Sequence, residues 1–241
     1  MKKRLFLFGL LAACAVALCV RLGFWQLERL SQRRAKNALV LARGTLPALS
    51  MSALRQSDTS ATHWHRVTMH AVADYEHEMV QSSRSQSGAP GVYLLTPLRP
   101  IDPGWGDTAV LLLRGFLAAA DGRTVDFDKA REGDTLTIDA LVTAYPPPQQ
   151  GAVRSPTSAR ALRLLDRDTL QAMVGRPLLP VVLLALGDTV TRDVVRPARV
   201  PPPSLSEGPH QSYAMQWFGF ALVFLVGFAV VARGTLKTTP K

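Results

Sequence analysis

Two long apolar runs, one near each end of the chain, constrain this sequence more than any other feature. Leu5–Val20 reads LFLFGLLAACAVALCV and continues past Arg21 through LGFW to Trp25. Tyr213–Ala232 reads YAMQWFGFALVFLVGFAVVA, with Gln216 its one strongly polar member. As helices rising ~1.5 Å per residue, each matches the ~30 Å hydrocarbon core of a bilayer. Arg21 falls near the far end of the first run, where its long stem carries the charge to the interface. The sequence thus predicts two membrane spans with a large region between them.

The net charge of +10 supports this division once it is located. Residues 1–36 hold eight basic residues and one acid, residues 213–241 hold three basic residues and no acid, and the stretch between is neutral. A nucleic-acid binder gathers its cations on a folded face. Here they bracket the apolar runs, so a membrane surface is the expected partner and nucleic acid is not. Lys2, Lys3 and Arg4 precede the first span, while Arg233, Lys237 and Lys241 follow the second. Positive residues beside spans stay cytoplasmic, which puts both tails inside. The cluster Arg29–Lys36 opposes this, but a long domain translocates largely regardless of its charge.

Leu11-Ala12-Ala13-Cys14 resembles a lipoprotein cleavage box. Six further apolar residues follow it, AVALCV, where a lipoprotein turns polar, and an uncleaved anchor is expected. Cys14 and Cys19 are the two cysteines, and both lie in this run. A disulfide scaffold or thiolate metal site in the middle region is thereby excluded.

With 47% of residues hydrophobic and 19% charged, that middle region has enough apolar surface to fold. Its periodicity is mostly two. Val67, Met69, Ala71 and Ala73 share one face of Arg66–Ala73, and Leu136, Ile138, Ala140, Val142 and Ala144 share one face of Thr135–Tyr145. Tyr93–Leu98, Ala109–Leu113, Val181–Leu186 and Arg192–Val195 are further strand candidates. Gly88–Gly91, Asp102–Gly104, Asp121-Gly122, Glu132-Gly133 and Pro146–Pro148 mark turns. One helix is expected over Asp168–Val174, capped by Asp166 or Asp168 and stopped at Gly175, and a second over Leu27–Leu41. The predicted architecture is membrane-anchored α+β. Two terminal transmembrane helices, 5–25 and 213–232, flank one mainly-β extracytoplasmic domain, 26–212, a small barrel or sandwich with one or two helices. Cytoplasmic tails occupy 1–4 and 233–241.

The chain contains no nucleophile elbow, His-Glu-x-x-His, phosphate-binding glycine loop or Cys-x-x-Cys, so an enzyme is not expected. Glu76 and Glu78 sit in polar, turn-flanked segments and read as solvated. His63, His65, His70 and His77 lack the carboxylates or thiolates that would complete a metal site. More informative residues lie at the span ends. Trp25, Gln26 and Arg29 follow the first run, and His210, Tyr213, Ala214 and Trp217 open the second at helical spacing. Trp25, Tyr213 and Trp217 read as an interfacial aromatic belt. His210 has two readings. It is a polar cap at the interface, which comes first on residues alone, or a neutral imidazole placed to ligate a porphyrin iron.

Taken in order, LGFWQLER, RVTMHAVADYEHEMV, GVYLLTPL, LLLRGF and HQSYAMQWFGF resemble the surfeit-locus-one family across residues 22–220. That resemblance implies a cytochrome oxidase biogenesis factor of the bacterial inner membrane. Its partners would be the catalytic subunit of a terminal oxidase, in which it helps install or retain haem a, and the haem a synthesis machinery. It also implies His210 as a haem a ligand. For such a ligand Trp25, Tyr213 and Trp217 would supply apolar walls, and Arg29 and Arg114 would hold propionates or anionic lipid headgroups through charge-assisted hydrogen bonds. Two positions depart from the family pattern: Pro209, where Asn is frequent, and Phe116, where Arg-Gly-Trp is usual. The rival reading is a two-span envelope protein whose β domain binds a peptide or ligand.

Overall fold

The computed structural model describes residues 2–148, 150–151, 153–155, 158–187 and 197–237. The strand expected over Arg192–Val195 lies outside them. By their contacts the residues divide into two compact units, Val40–Ser204 and the pair of terminal segments Met1–Leu39 with Leu205–Lys241.

The first unit is a small β-barrel. In chain order its elements begin with α2 (Met51–Gln56), α3 (Thr59–Thr62), β1 (Arg66–Ala73), β2 (Met79–Gln86), β3 (Ala89–Pro100) and β4 (Ala109–Ala118). β5 (Thr135–Ala144), β6 (Ala161–Leu162), α4 (Arg167–Val174) and β7 (Leu178–Ala185) complete them. The strands close as β1-β5-β7-β4-β3, because β3 pairs back onto β1 through Ala71↔Pro100 and Ala73↔Leu98. β2 and β6 extend the sheet from β3. All ring pairings are antiparallel except β4–β7.

Alternation builds the interior. β1 buries Val67, Met69, Ala71 and Ala73, and Val67↔Ala140, Met69↔Ile138 and Ala71↔Leu136 meet across the ladder to β5. On the opposite face Thr68 donates to Asp139, and His70 Nδ1 lies 2.9 Å from Thr137 Oγ1. Residues 109–113 of β4 and 181–185 of β7 instead read as unbroken apolar runs, as strands covered on both faces do. Val110 and Leu112 face one core with Val181 and Leu183. Leu111 and Val182 pack in another, under Leu170 and Val174 of α4. The start and stop of α4 follow its sequence signals. Asp166 accepts from Thr169 N–H at 2.9 Å, and Gly175 ends the helix at φ +71°.

The second unit is a helix pair. α1 runs from Lys2 to Gly44, so the expected span and the helix expected after it form one continuous helix; its last turn, Val40–Gly44, belongs to the barrel unit. α5 runs from His210 to Lys237. Both are long and apolar enough to cross a membrane. They pack antiparallel: the rings of Phe8 and Phe228 lie 6.0 Å apart, and those of Phe24 and Phe218 lie 5.5 Å apart. Gly23 permits this approach, since a Cβ there would stand 2.5 Å from the Phe218 ring. Cys19, Gly23, Gln26 and Leu30 form the buried stripe of α1, at intervals of four, three and four residues. Long apolar side chains cover the outer faces, with Phe6, Met215 and Val223 each about two-thirds or more exposed, as suits lipid contact.

Candidate functional site

The polar end of the helix pair is where the residues singled out in the sequence meet. His210 is the first residue of α5, and its Nδ1 lies 2.8 Å from Oε1 of Gln26 on α1. Gln26 is one of the few buried polar residues of the chain, 9% exposed, and it sits one turn above Gly23 on the contact stripe. Ala214, one turn into α5, is also buried, which lets the helices approach beside the histidine. Two further polar ties continue the same seam. Arg34 Nε lies 2.8 Å from Glu207, and Asn37 donates to the Leu205 carbonyl. The Glu207 carboxyl is held below its usual range by its hydrogen bonds with Arg34.

The other candidates in this unit flank the pair. Trp217 is half-buried, edge-on to Phe220 at 5.9 Å. Trp25 and Tyr213 are 50% and 45% exposed. Arg29 is exposed and donates to Gln32 at 3.0 Å. Gly208 precedes the histidine at φ +72°, and a Cβ there would lie 3.6 Å from Nε2 of His210. The glycine thus adds no side chain against that ring edge.

Arg114 is placed quite differently. It is 1% exposed inside the barrel unit, and its guanidinium is engaged there by carboxylates in place of an exposed propionate or headgroup. Nη2 lies 3.1 Å from Glu78 Oε1 and donates to the Ala130 carbonyl at 2.6 Å, while Nε lies 3.5 Å from Glu132. A register shift on β4 aims it: Leu94 pairs with Gly115 and Leu95 with Leu113, leaving Arg114 as the extra residue of a bulge. Arg199 completes the cluster, donating to the Arg114 carbonyl at 2.7 Å and pairing with Glu132 at 2.8 Å. The segment around it is strapped to β4 by Phe116 and Ala198, which exchange backbone hydrogen bonds of 2.7 and 2.9 Å.

Glu78 corrects the sequence reading. Expected in a solvated loop, it is fully buried at the edge of β2, accepts from Thr96 and faces Arg114. Burial pushes its carboxyl up from the ordinary value, with the Arg114 charge and the Thr96 hydroxyl pulling the other way. Its partner is remote in sequence, and the strand that follows it, with polar Ser82, Ser83 and Arg84 and a bulge, carries no clean alternation. No local signal marked it.

The four barrel histidines are dispersed. His63 stacks on Trp64 at 4.1 Å, His70 meets Thr137, and His77 Nδ1 lies 3.0 Å from Asp74. Burial lowers the His65 value, with the Arg43 charge second. Among the described residues no group of three or more His, Cys, Asp or Glu is placed to hold a metal ion. Antiparallel spans of this sequence are expected to bring Gln26 or Arg29 near Tyr213 or His210, and it is Gln26 that meets His210. The signal was available: a polar side chain interrupts a stripe of small and apolar residues in an otherwise lipid-compatible helix.

Comparison with known proteins bears on the chain as a whole. Residues 13–222 match the model of the SURF1 family. A SURF1-like protein of Rickettsia felis is 22% identical over 234 residues, covering 95% of this chain and 98% of that protein. SURF1-like proteins of Rickettsia conorii and Rickettsia bellii are 22% and 23% identical, each over 89% of this chain and 86% of their own length.

Proposed function

The chain belongs to the SURF1 family, and from that premise we propose that it is a membrane assembly factor for a haem–copper terminal oxidase. In this reading it is not an enzyme. It assists delivery of haem a to the catalytic subunit or its retention there, and it works with that subunit, the haem a synthesis machinery and the surrounding lipids. Haem a is its cargo.

The observation that carries the haem assignment is the state of His210. Its ring is half-buried, Nδ1 is engaged by Gln26, and Nε2 has no hydrogen-bond partner among the described residues. Porphyrin iron takes a neutral nitrogen donor, and the ring system needs apolar or aromatic walls. Trp217, Phe218 and Phe24 provide such surface next to the histidine's end of the helix pair, with Trp25 and Tyr213 exposed beside them. Arg29 has a free-standing guanidinium face for a propionate or a lipid phosphate, through charge-assisted hydrogen bonds. The donor set and the apolar surface fit the cargo.

The proposed location is the bacterial inner membrane with both termini cytoplasmic, on the strength of the basic residues at the outer ends of the two spans. A reporter active only outside the cytoplasm should then work when fused near Gly122 and fail after Lys241. The function is tested by a reduced-minus-oxidised optical spectrum of the full-length protein purified from haem-a-producing cells, together with the oxidase spectrum after gene deletion. A haem signal and a defective oxidase are expected. No haem signal and a normal oxidase would overturn the reading in favour of an envelope protein binding a peptide or other ligand.

A further inference from the structure

We propose that Gln26 is a positioning residue for His210: its carbonyl oxygen accepts a hydrogen bond from Nδ1–H, which fixes the imidazole tautomer and leaves the Nε2 lone pair free for a metal. The proposal deepens the haem reading above and rests on it for its purpose. The hydrogen bond itself can be tested without haem.

The chemistry follows from the atoms in contact. Oε1 of an amide is an acceptor only, so at 2.8 Å the proton between it and Nδ1 belongs to the imidazole. A neutral imidazole has one N–H, so Nε2 is then a bare acceptor. Histidines that bind metals through one nitrogen almost always donate the other N–H to an oxygen acceptor, which sets both tautomer and ring orientation. Here the acceptor comes from the neighbouring helix, 184 positions away in sequence, so the ring is held from outside its own helix.

Three features make this more than a seam contact. Gln26 is buried at 9% exposure within an otherwise apolar stripe, where an amide costs stability unless its hydrogen bonds are made. Tight helix approach, allowed by Gly23 and Ala214, places it. Gly208 then keeps Nε2 open, since any side chain at that position would start 3.6 Å from it. One nitrogen is occupied by design of the helix pair and the other is left uncovered.

The test uses the full-length protein in detergent, labelled with ¹⁵N-histidine, at a pH well above the ordinary imidazole value of about 6.5. Long-range ¹H–¹⁵N correlation should show His210 protonated at Nδ1 and bare at Nε2. Gln26→Leu should lose that preference, and Gln26→Glu, which keeps an acceptor, should retain it. With haemin as the probe, Gln26→Leu should weaken binding by about 10–100-fold. Gln26→Glu should restore it and raise the iron–histidine stretching frequency in the resonance Raman spectrum. Gly208→Asn, which tolerates a positive φ, should weaken haemin binding with the tautomer unchanged. An Nε2–H tautomer in the unmodified protein, or Gln26→Leu with unaltered tautomer and haemin affinity, would overturn the proposal. His210→Ala retaining haemin would overturn the haem reading instead, and the NMR result would then decide the hydrogen bond by itself.

Discussion

The helix pair and the barrel each bury polar side chains, and they finish the job differently. In the barrel, Arg114 and Arg199 are matched against Glu78 and Glu132, and Thr96 and the Ala130 carbonyl take further places around them. The cluster is closed in charge, two cations against two anions, although Glu78 Oε2 and Arg114 Nε and Nη1 have no hydrogen-bond partner among the described residues. In the helix pair, Gln26 and His210 share one hydrogen bond of 2.8 Å, and Nε2 has no partner among the described residues. A charged cluster in a low-dielectric interior must be balanced or the fold fails. A hydrogen-bonded pair at the partly exposed end of a helix seam can leave one group unspent at little cost, and there a ligand can be accepted. The difference separates buried charges that are balanced within the fold from a hydrogen-bonded pair that leaves one ring nitrogen of a half-buried histidine without a partner among the described residues.

The largest effect should come from opening the closed cluster. Arg114→Leu leaves two carboxylates without their central cation, a loss of about 3–5 kcal/mol for a broken buried pair. Loss of the cooperative melt of the barrel in the full-length protein is the expected result. Combining it with Glu78→Leu should recover much of that loss, because the uncompensated charge goes too. Equal destabilisation of the single and double variants would show that the pair is not what Arg114 is there for.

The complementary variant in the helix pair should spare the fold. His210→Ala should abolish the haem spectrum and leave the barrel's melting unchanged, while His63→Ala and His65→Ala keep full haem binding. A full spectrum from His210→Ala would erase the contrast between the two regions.

Packing offers a smaller effect. A Cβ on Gly115 would stand 2.5 Å from the Ala198 carbonyl oxygen, against the strap that carries Arg199. Gly115→Ala should destabilise the barrel by about 1–3 kcal/mol, the usual cost of overpacking, read as a lowered melting temperature with haem binding intact.

The pH dependence of the closed cluster follows from Glu78. Its carboxyl is raised above the ordinary value of 4.5 by burial, so between that value and its folded value the native state holds more protons than the unfolded one. The contribution therefore favours folding at the acidic side of this window and is lost as pH rises through it. Glu78→Gln should flatten that slope in a chemical-denaturation series. An unchanged slope would place the titration elsewhere. Smallest of all, Arg34→Gln removes an ion pair with Glu207 that is open to water on both sides, and no measurable change in stability is expected.

Much of this architecture was legible in the linear chain. The apolar runs became α1 and α5. The period-two segments Arg66–Ala73 and Thr135–Tyr145 became β1 and, one residue shorter, β5, and Asp166 and Gly175 became the ends of α4. Each depends on neighbours within a few residues, so a local pattern suffices. β2 was not legible, because Ser83 stands at φ +58° in a bulge that breaks its alternation. The short helices α2 and α3 span too few residues to show a period: α2 buries only Met51 and Leu54, and α3 only Thr62.

For the candidate site, the sequence located His210, Trp25, Arg29, Tyr213 and Trp217 at the span ends, since helical spacing and the basic flanks set which residues stand at the membrane boundary. It also determined the two apolar helices and the alternating barrel faces, for local periodicity alone says which side of an element must leave water. Only the tertiary structure decided which polar groups meet. The bulge that turns Arg114 inward, the burial of Glu78 and the choice of Gln26 as the partner of His210 all depend on register between segments far apart in the chain. Hydrophobic pattern is satisfied by many such registers, whereas a buried polar atom is satisfied only by the one that brings it a partner.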